Sequence, residues 1–285
     1  MKAKYILFDN HDDWSRLKKE LVPGYKDNDI LVKSSLHSHL INMAMQKGYT
    51  KIQDSYHNLF VNYGDTLVRF EDEDVYILDV NTRKETRLQR AVNRISHYFY
   101  FRRPSRSIVT LVGPDGCGKS AVSSALARLP RFRYVYYGDW GFKLQSAYST
   151  ILRNVPSPIN RVVYLAYLVE SLARYIYAVV LSTCGFYVVL DRQPGSKVPR
   201  MGASESTRFI HRIYFKMFRL GRMVLLHTEP SVVFRRKREL QLDEIEHTYK
   251  VLMSLGGRNI KVIENEDGRL DNTLNAVLRA LVDDR

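Results

Sequence analysis

The chain has 285 residues, of which 45% are hydrophobic, and its 44 Lys and Arg residues outnumber its 30 Asp and Glu residues, giving a formal net charge of +14. This length suits one large or two modest domains, and the apolar share is enough for a hydrophobic core, which excludes a wholly disordered chain. With only two cysteines, Cys117 and Cys184, a disulfide framework is excluded, no structural zinc site is indicated, and a reducing, intracellular compartment is favoured.

The first hundred residues contain short elements typical of a small α+β domain. In chain order they are a strand at 29–32, a helix at 36–46, strands at 58–63, 66–70 and 75–80, and a helix at 87–101. The polar segment 102–106 is the predicted linker. We therefore predict one domain at 1–104 and a second at 105–285. Because the first residues lack the apolar core of a secretory signal, we expect a cytoplasmic protein.

Strands and helices alternate in the second half of the sequence. Strands are predicted at 107–112, 133–137, 186–190, 222–227 and 260–263, and helices at 119–129, 161–181, 203–218, 230–240 and 270–281. This alternation predicts an α/β fold in which helices cover both faces of a parallel sheet. The most apolar window, 162–184, is long enough to span a membrane, but Glu170, Ser171 and Arg174 interrupt it, so we predict a buried helix.

The positive charge is concentrated in the second half. Residues 1–104 carry a net charge of +3 and the remainder +11, and residues 192–238 contain twelve Lys or Arg against Glu205 and Glu229. Such a field attracts anions, whether the phosphates of a small ligand, a nucleic acid or an acidic membrane face. The alternative is that most of these residues are solvated helix faces.

A phosphate-binding motif lies between the first strand and first helix of this half. Gly113-Pro-Asp-Gly-Cys-Gly-Lys-Ser120 matches G-x-x-x-x-G-K-[ST], the Walker A motif, in its required strand-loop-helix setting. The glycines let backbone amides surround a phosphate, Lys119 would reach the β- and γ-phosphates, and the Ser120 hydroxyl would ligate Mg²⁺. The residues predicted to bind the nucleotide are Gly113, Asp115, Gly116, Cys117, Gly118, Lys119, Ser120 and Ala121.

Two further groups point to phosphate chemistry. The strand at 187–191 ends in Asp191 and is followed by Arg192, at the sheet edge where ligands of such folds bind. Asp191 can hold Mg²⁺ and Arg192 can bridge phosphoryl oxygens, although a strand-ending aspartate can also simply cap a loop. Farther on, Arg235, Arg236, Lys237 and Arg238 gather on about one helical turn, which suits a lid closing over a triphosphate.

These residues resemble the thymidylate kinase-like family of P-loop kinases over about residues 107–285. The segments Arg236-Lys-Arg-Glu-Leu240 and Asp243-Glu-Ile-Glu246, followed by Tyr249, are similar to the branch found with bacterial surface-polysaccharide genes. The resemblance implies that Lys119 and Ser120 hold ATP and its metal and that Asp191 and Arg192 form the family's DR motif. It further implies lid roles for Arg235, Arg236 and Arg238. Arg174 corresponds to an acceptor-binding arginine, or else snorkels from a buried helix.

The sequence departs from true thymidylate kinases around the acceptor. Val112 and Gln193 stand where that family carries an acidic and an aromatic residue, and residues 136–141 replace its acceptor segment. Thymidine monophosphate is therefore not the expected acceptor. In the rebuilt segment, Asp139 is a candidate acceptor-binding residue, and either Asp139 or Asp191 could take the proton of an acceptor hydroxyl.

The first domain resembles a reduced nucleotidyltransferase fold. Its Asp27-Asn-Asp29 pair and Asp79 correspond to the carboxylates that hold two metals in that fold, but the expected Gly-Ser element is missing. The resemblance thus implies an inactive domain, and solvated turn aspartates are the favoured interpretation of these residues.

Together these features predict ATP- and Mg²⁺-dependent phosphoryl transfer to a non-thymidine acceptor, such as a sugar or glycan intermediate of surface polysaccharide. The alternatives are a nucleoside monophosphate kinase of altered specificity, or a nucleotide-switched protein that docks on an anionic polymer or membrane. Peripheral contact with the inner membrane face and a helix-mediated homodimer are both compatible with this prediction. Because the aromatic residues fall mainly within periodic apolar runs, nucleic acid is disfavoured as a partner.

Overall fold

A computed structural model of the protein describes residues 6–8, 14–24, 28–53, 56–57, 62–72, 74–82, 107–138, 157–199, 201–202, 204–238 and 240–282. The chain divides into two compact units. The first consists of Met1–Tyr100, Arg128–Pro130 and Arg269–Arg285, and the second of Phe101–Ala127 and Arg131–Gly268. The predicted linker, the boundary between residues 104 and 105 and the predicted helix at 87–101 lie outside the described residues.

The first unit is built on a mixed five-stranded sheet. Its elements in chain order are β1 (Ile6–Phe8), α1 (Trp14–Glu20), β2 (Asn28–Val32), α2 (Ser34–Gln46), β3 (Thr50–Gln53), β4 (Tyr56–His57), β5 (Asn62–Tyr63), β6 (Asp65–Glu71) and β7 (Asp74–Asn81). The strand order is β1-β2-β7-β6-β3, and β4 and β5 form a separate pair. Strands β1, β2 and β7 run parallel, whereas β6 is antiparallel to both of its neighbours.

Alternating burial explains how this sheet holds its helices. In β2, every second residue is buried, as expected for a strand with one face on a core. Leu40 and Ala44 of α2 pack with Ile30 and Val32 of β2 in one apolar cluster. The predicted helix at 36–46 and strands at 66–70 and 75–80 are confirmed, while β1, α1 and β3 were not predicted.

The second unit contains the alternating elements. They are β8 (Ile108–Val112), α3 (Lys119–Ala127), β9 (Phe132–Tyr136), α4 (Ser157–Thr183), β10 (Tyr187–Asp191), α5 (Glu205–Met217), β11 (Arg222–His227), α6 (Pro230–Arg236), α7 (Leu242–Gly256) and β12 (Ile260–Glu264). Helix α7 was not predicted. The strand order is β12-β11-β8-β10-β9, and every pairing is parallel. Every residue of the inner strands β8 and β10 is buried, as in a sheet flanked by helices on both faces. The predicted α/β fold is confirmed.

The last helix differs from prediction. Helix α8 (Leu270–Val282) follows β12 and was expected to complete the second domain, but it packs against β3 and β6 of the first unit. Its Asn275 donates from Nδ2 to the carbonyl of Phe70 at 2.8 Å and accepts the amide of Phe70 at 3.0 Å. Because Asn275 is buried, these two hydrogen bonds fix the helix against the backbone of β6. Sequence periodicity shows that a helix is amphipathic but does not show which core receives it.

The long apolar helix α4 was predicted to be buried, not membrane-spanning. The prediction of burial is wrong, because only one side of the helix packs in the core and Val169, Ile176 and Tyr177 on the other side are 61%, 53% and 55% exposed. None of the helices among the described residues is both long and apolar enough to cross a membrane.

Candidate active site

The loop between β8 and α3 has a conformation that its glycines make accessible. Gly113, Gly116 and Gly118 have φ angles of 149°, 95° and 93°, values that residues with a side chain avoid. A Cβ on Gly118 would lie 2.5 Å from Nδ2 of Asn265, and one on Gly113 would lie 2.7 Å from Sγ of Cys117. The loop therefore curls as a phosphate-binding loop requires, and α3 starts directly after it.

Lys119 is held by the loop itself. Its Nζ donates to the carbonyl oxygens of Gly113 at 2.9 Å and Pro114 at 2.7 Å. The same nitrogen lies 3.9 Å from Oδ1 of Asp115. Since Lys119 is buried, these oxygens compensate the desolvation of its charge. A bound phosphate would offer the ammonium a stronger, charged partner.

Ser120 and Asp191 meet at the carboxyl edge of the sheet. The Ser120 hydroxyl donates to Oδ2 of Asp191 at 2.9 Å, and the Tyr134 hydroxyl donates to the same oxygen at 3.3 Å. Burial, together with the adjacent Asp191 carboxylate, raises the pKa of Tyr134 to about 12, so this hydroxyl remains a neutral donor. Asp191 is wholly buried, and its Oδ1 has no hydrogen-bond partner among the described residues.

This pair of oxygens fits a divalent cation. A buried carboxylate oxygen without a partner is costly unless another group satisfies it. Mg²⁺ prefers oxygen ligands and commonly takes only one or two from the protein, the others coming from phosphates and water. Within the described part of the chain, no three His, Cys, Asp or Glu side chains are grouped as a metal site. Ser120 and Asp191 can thus hold Mg²⁺ as it is held beside a nucleotide.

Arg192 connects the strand end to the loop. Its Nη2 lies 2.5 Å from Oδ1 of Asp115, and its amide donates to the carbonyl of Leu111 at 3.0 Å. The φ angle of Arg192 is 73°, a left-handed conformation that costs about 1–3 kcal/mol for a non-glycine residue. A Cβ on Gly138 would collide with the Arg192 side chain. The surrounding structure therefore directs this guanidinium toward the loop.

Two polar residues that were not predicted as site residues, Thr228 and Asn265, support the loop through hydrogen bonds to its backbone. The carbonyl of Cys117 accepts hydrogen bonds from Nδ2 of Asn265 at 2.8 Å and from Oγ1 of Thr228 at 3.1 Å. The Thr228 backbone is held in turn by the Tyr249 hydroxyl, which accepts from its amide and donates to its carbonyl. Thr228 and Asn265 each follow directly after a parallel strand, and that position was the available signal, because carboxyl ends of parallel strands meet at one edge.

The structure brings only part of the basic cluster to the loop. Arg236 donates from Nη1 to the carbonyl of Gly116 at 3.1 Å and pairs through Nη2 with Asp267 at 2.5 Å. Lys237 packs so closely over Gly116 that a Cβ there would lie 3.1 Å from its Cγ. All four side chains are exposed, and α6 ends at Arg236, so Lys237 and Arg238 lie beyond the helix instead of on one helical turn with the others. The four residues therefore do not point at a common spot.

The predicted acceptor residues have different outcomes. Arg174 donates from Nη1 to the carbonyl of Tyr136 at 3.0 Å and pairs with Glu170 at 2.8 Å. Burial raises the pKa of Glu170, and the Arg174 charge opposes that shift. Because Tyr136 ends β9, Arg174 lies beside the edge of the sheet where Asp191 ends β10. Asp139 lies outside the described residues.

A cleft of about 250 Å³ borders the loop. Its walls include Asp115, Arg192, Lys197, Lys237 and His247. The complete lining carries three positive side chains, Arg192, Lys197 and Lys237, and two negative ones, Asp115 and Glu244. The cleft therefore has a small excess of positive charge, which favours a small molecule or terminal group that bears an anion. Part of the basic stretch 192–238 therefore serves this cleft.

Two of the three aspartates that suggested a metal site in the first unit lie in strands. Asp29 and Asp79 are strand residues that stand opposite each other on the parallel strands β2 and β7, and both are half-buried. The interpretation as turn aspartates is wrong for these two residues, while Asp27 lies outside the described residues.

Comparison with known proteins gives a likeness of fold only. No family model and no curated protein matches the sequence. A gluconokinase from Sinorhizobium meliloti 1021 is 17% identical over 63% of this chain and 93% of its own, with a TM-score of 0.36. A thymidylate kinase from Ehrlichia chaffeensis is 15% identical over 61% of this chain and 96% of its own, with a TM-score of 0.39. NadR protein in complex with NAD and AMP-PNP is 13% identical over 96% of this chain and 74% of its own, with a TM-score of 0.40.

Proposed function

We propose that the protein is a phosphotransferase that uses ATP and Mg²⁺ to phosphorylate a small, non-thymidine acceptor. The observation that carries the proposal is the hydrogen bond from Ser120 to the buried Asp191. A hydroxyl at the start of the loop's helix and a carboxylate at the end of the neighbouring strand are the two groups that hold the nucleotide's metal in P-loop enzymes.

The nucleotide would bind along the curled loop. The backbone around Gly116 and Gly118 would surround the β-phosphate, and Lys119 would leave its carbonyl partners for the β- and γ-phosphates. Mg²⁺, when bound, would neutralise part of the negative charge of the nucleotide's phosphates. Arg236, already hydrogen-bonded to Gly116, would shield the same phosphates from water.

Transfer would take place at the cleft beside the loop. Arg192 would bridge donor and acceptor, and its contact with Asp115 and its position in the wall of the cleft support this role. Its planar guanidinium can bind two phosphoryl oxygens at once and stabilise the charge that moves between them. Arg174 would orient the acceptor from the neighbouring strand end. Arg235 and Arg238 would need to move from their exposed positions to act as lid residues.

The acceptor we propose is a sugar or a glycan intermediate. The volume of the cleft suits a small group, and the small excess of positive charge in its walls suits one that already bears a phosphate or carboxylate. For an alcohol acceptor, Asp191, which ends β10 directly before Arg192, could accept the hydroxyl proton. A phosphate acceptor would need no base.

A transfer assay tests this function. Purified full-length protein with Mg-ATP would be offered sugars, sugar phosphates, glycan intermediates and a panel of nucleoside monophosphates, and the phosphorylated product would be measured directly. We expect transfer to a member of the first three groups, abolished by Lys119→Ala and Asp191→Asn but unchanged by Lys250→Ala on an exposed part of α7. Transfer only to a nucleoside monophosphate would refute the acceptor class, and product formation that survives Lys119→Ala would refute the mechanism.

A further inference from the structure

Helix α5 has an outer surface that the active site does not use. Its inner side carries Phe215, which is 1% exposed, and His211, which is 9% exposed. Its outer side carries three large apolar side chains that are strongly exposed to solvent, Phe209 at 62%, Ile213 at 44% and Met217 at 50%. Such a row on a helix of a soluble domain marks an interaction surface.

A basic row runs beside the apolar one. Arg208, Arg212 and Lys216 are all exposed and recur every four residues, as the apolar residues do. Successive residues are turned by about 100° around a helix, so residues four apart advance by about 40° and each row covers a narrow sector. The basic row and the apolar row therefore occupy adjoining sectors of the helix surface. The helix thus has a buried side, a basic side and an exposed apolar side, and Glu205 is its single acidic residue.

A neighbouring helix extends the apolar surface. Helices α4 and α5 share one core cluster through Tyr175, Val179 and Tyr214, so both cover the same face of the second unit's sheet. The outward positions of α4 are also apolar and well exposed, namely Val169, Leu172, Ile176, Tyr177 and Val180. Two helices therefore present apolar side chains on one side of this unit.

We infer that α5 docks this protein on an anionic lipid bilayer. A helix with apolar side chains on one side and Lys or Arg beside them lies in the membrane interface, with the apolar row in the acyl boundary and the charges at the headgroups. The sign of the charge selects the partner. If two copies paired through antiparallel α5 helices, their basic rows would face each other, and α5 itself offers only Glu205 to compensate them. A nucleic acid would use the basic row but leave Phe209, Ile213 and Met217 in water.

Docking would place the active site at the membrane surface. The carbonyl of Phe215 accepts a hydrogen bond from Nε2 of Gln193, and a Cβ on Gly195 would lie 2.9 Å from the Phe215 amide. The turn that contains Gln193 and Gly195 leads directly into Lys197, which lines the cleft. The docking helix is thus packed against one wall of the cleft, although membrane binding itself does not depend on the proposed transfer reaction.

Vesicle co-sedimentation of the full-length protein tests the inference. The vesicles are pure phosphatidylcholine, or phosphatidylcholine with about 30% phosphatidylglycerol to supply negative charge. One variant neutralises the basic row (Arg208→Gln, Arg212→Gln, Lys216→Gln) and a second removes the apolar row (Phe209→Ser, Ile213→Ser). A matched control changes one basic and one apolar exposed residue of α7 (Lys250→Gln, Met253→Ser). Circular dichroism melting establishes that each variant is folded.

We expect the wild-type protein and the control to bind anionic vesicles far more strongly than neutral ones. Neutralising the basic row should lower the partition coefficient about a hundredfold, since each of the three Lys or Arg residues near the surface contributes about fivefold. Removing the apolar row should lower it about tenfold or more. Three results would each overturn the inference: no vesicle binding, binding that neither variant reduces, and a dimer in ultracentrifugation that the apolar variant dissociates while vesicle binding persists.

Discussion

The support beneath the loop gives the sharpest prediction for this structure. Because the Cys117 carbonyl accepts from both Asn265 and Thr228, either donor can satisfy it when the other is removed. The variants Asn265→Ala and Thr228→Val each delete one donor, and the double variant deletes both. Thr228→Val keeps the shape of the side chain, and Asn265→Ala leaves the backbone hydrogen bond from the Asn265 amide to His227 in place.

The expected free energies of unfolding are non-additive. Each single substitution removes one hydrogen bond and should cost about 1 kcal/mol. Only the double variant leaves the buried Cys117 carbonyl with neither donor, which adds about 1–3 kcal/mol for an unsatisfied polar group. The double variant should therefore lose about 3–5 kcal/mol, and the coupling between the two sites should be about 1–3 kcal/mol.

Chemical denaturation gives the unfolding free energies, and calorimetric titration gives the affinity for Mg-ATP. Affinity should follow the same pattern as stability, because the loop is preorganised by this carbonyl. The matched control is Asn275→Ala in the first unit, which also removes hydrogen bonds to a buried backbone group, at Phe70. It should lower stability and leave the affinity for Mg-ATP unchanged. The hydrogen bonds to the Cys117 carbonyl would not act in this way if the double variant lost only the sum of the two single losses in unfolding free energy. A loss of affinity for Mg-ATP in the control would contradict the reasoning as well.

Three further predictions concern single residues. Gly118→Ala should weaken Mg-ATP binding at least about tenfold, because both its φ of 93° and the approach to Asn265 oppose a side chain. Gly257→Ala is the control, because Gly257 has a φ of 56° but open space around it, and it should affect only stability. If calorimetric titration showed the same loss of Mg-ATP affinity in both variants, the steric argument would be contradicted. Arg192→Lys should lower the rate of transfer and spare ATP affinity, since an ammonium lacks the planar fork, and steady-state kinetics separate the two quantities. Burial lowers the pKa of His211, with the neighbouring charge of Arg212 adding to this effect and a backbone hydrogen bond to Gly195 opposing it. As the pH falls below about 6.5, His211 binds a proton in the unfolded chain more readily than in the folded chain. The free energy of unfolding therefore falls by at most about 1.4 kcal/mol per pH unit. His211→Asn should reduce this slope in denaturation curves between about pH 7 and 5, and an unchanged slope would exclude His211 as its source.

Features carried by neighbouring residues could be predicted from the sequence. The loop from Gly113 to Ser120 is a continuous motif, and the strand ending in Asp191 is a continuous apolar run, so each was recognisable on its own. Their meeting was also predictable, because parallel strands present their carboxyl ends at one edge. The structure places Ser120 and Asp191 in hydrogen-bond contact, as that rule leads one to expect.

Contacts between distant segments were not predictable in the same way. Asn265 is 148 residues from Cys117, and Asn275 is 205 residues from Phe70. The position of Asn265 after a strand places it at the edge of the sheet, but it does not show which carbonyl the side chain will bind, and a polar residue within an amphipathic helix lacks even that signal. For this reason the sequence did not show that α8 packs in the core of the first unit.

The net charge of +14 illustrates which properties follow from the sequence and which depend on the tertiary structure. The sequence alone determined its sign, its concentration in residues 192–238 and the presence of a phosphate-binding motif, because these depend on composition and local order. Only the tertiary structure decided how the charge is divided. Arg192, Lys197 and Lys237 line the cleft, Arg236 holds the loop, and the row from Arg208 to Lys216 faces outward. Burial of one side of each helix fixes the direction of the other sides, and that burial depends on which elements the fold brings together.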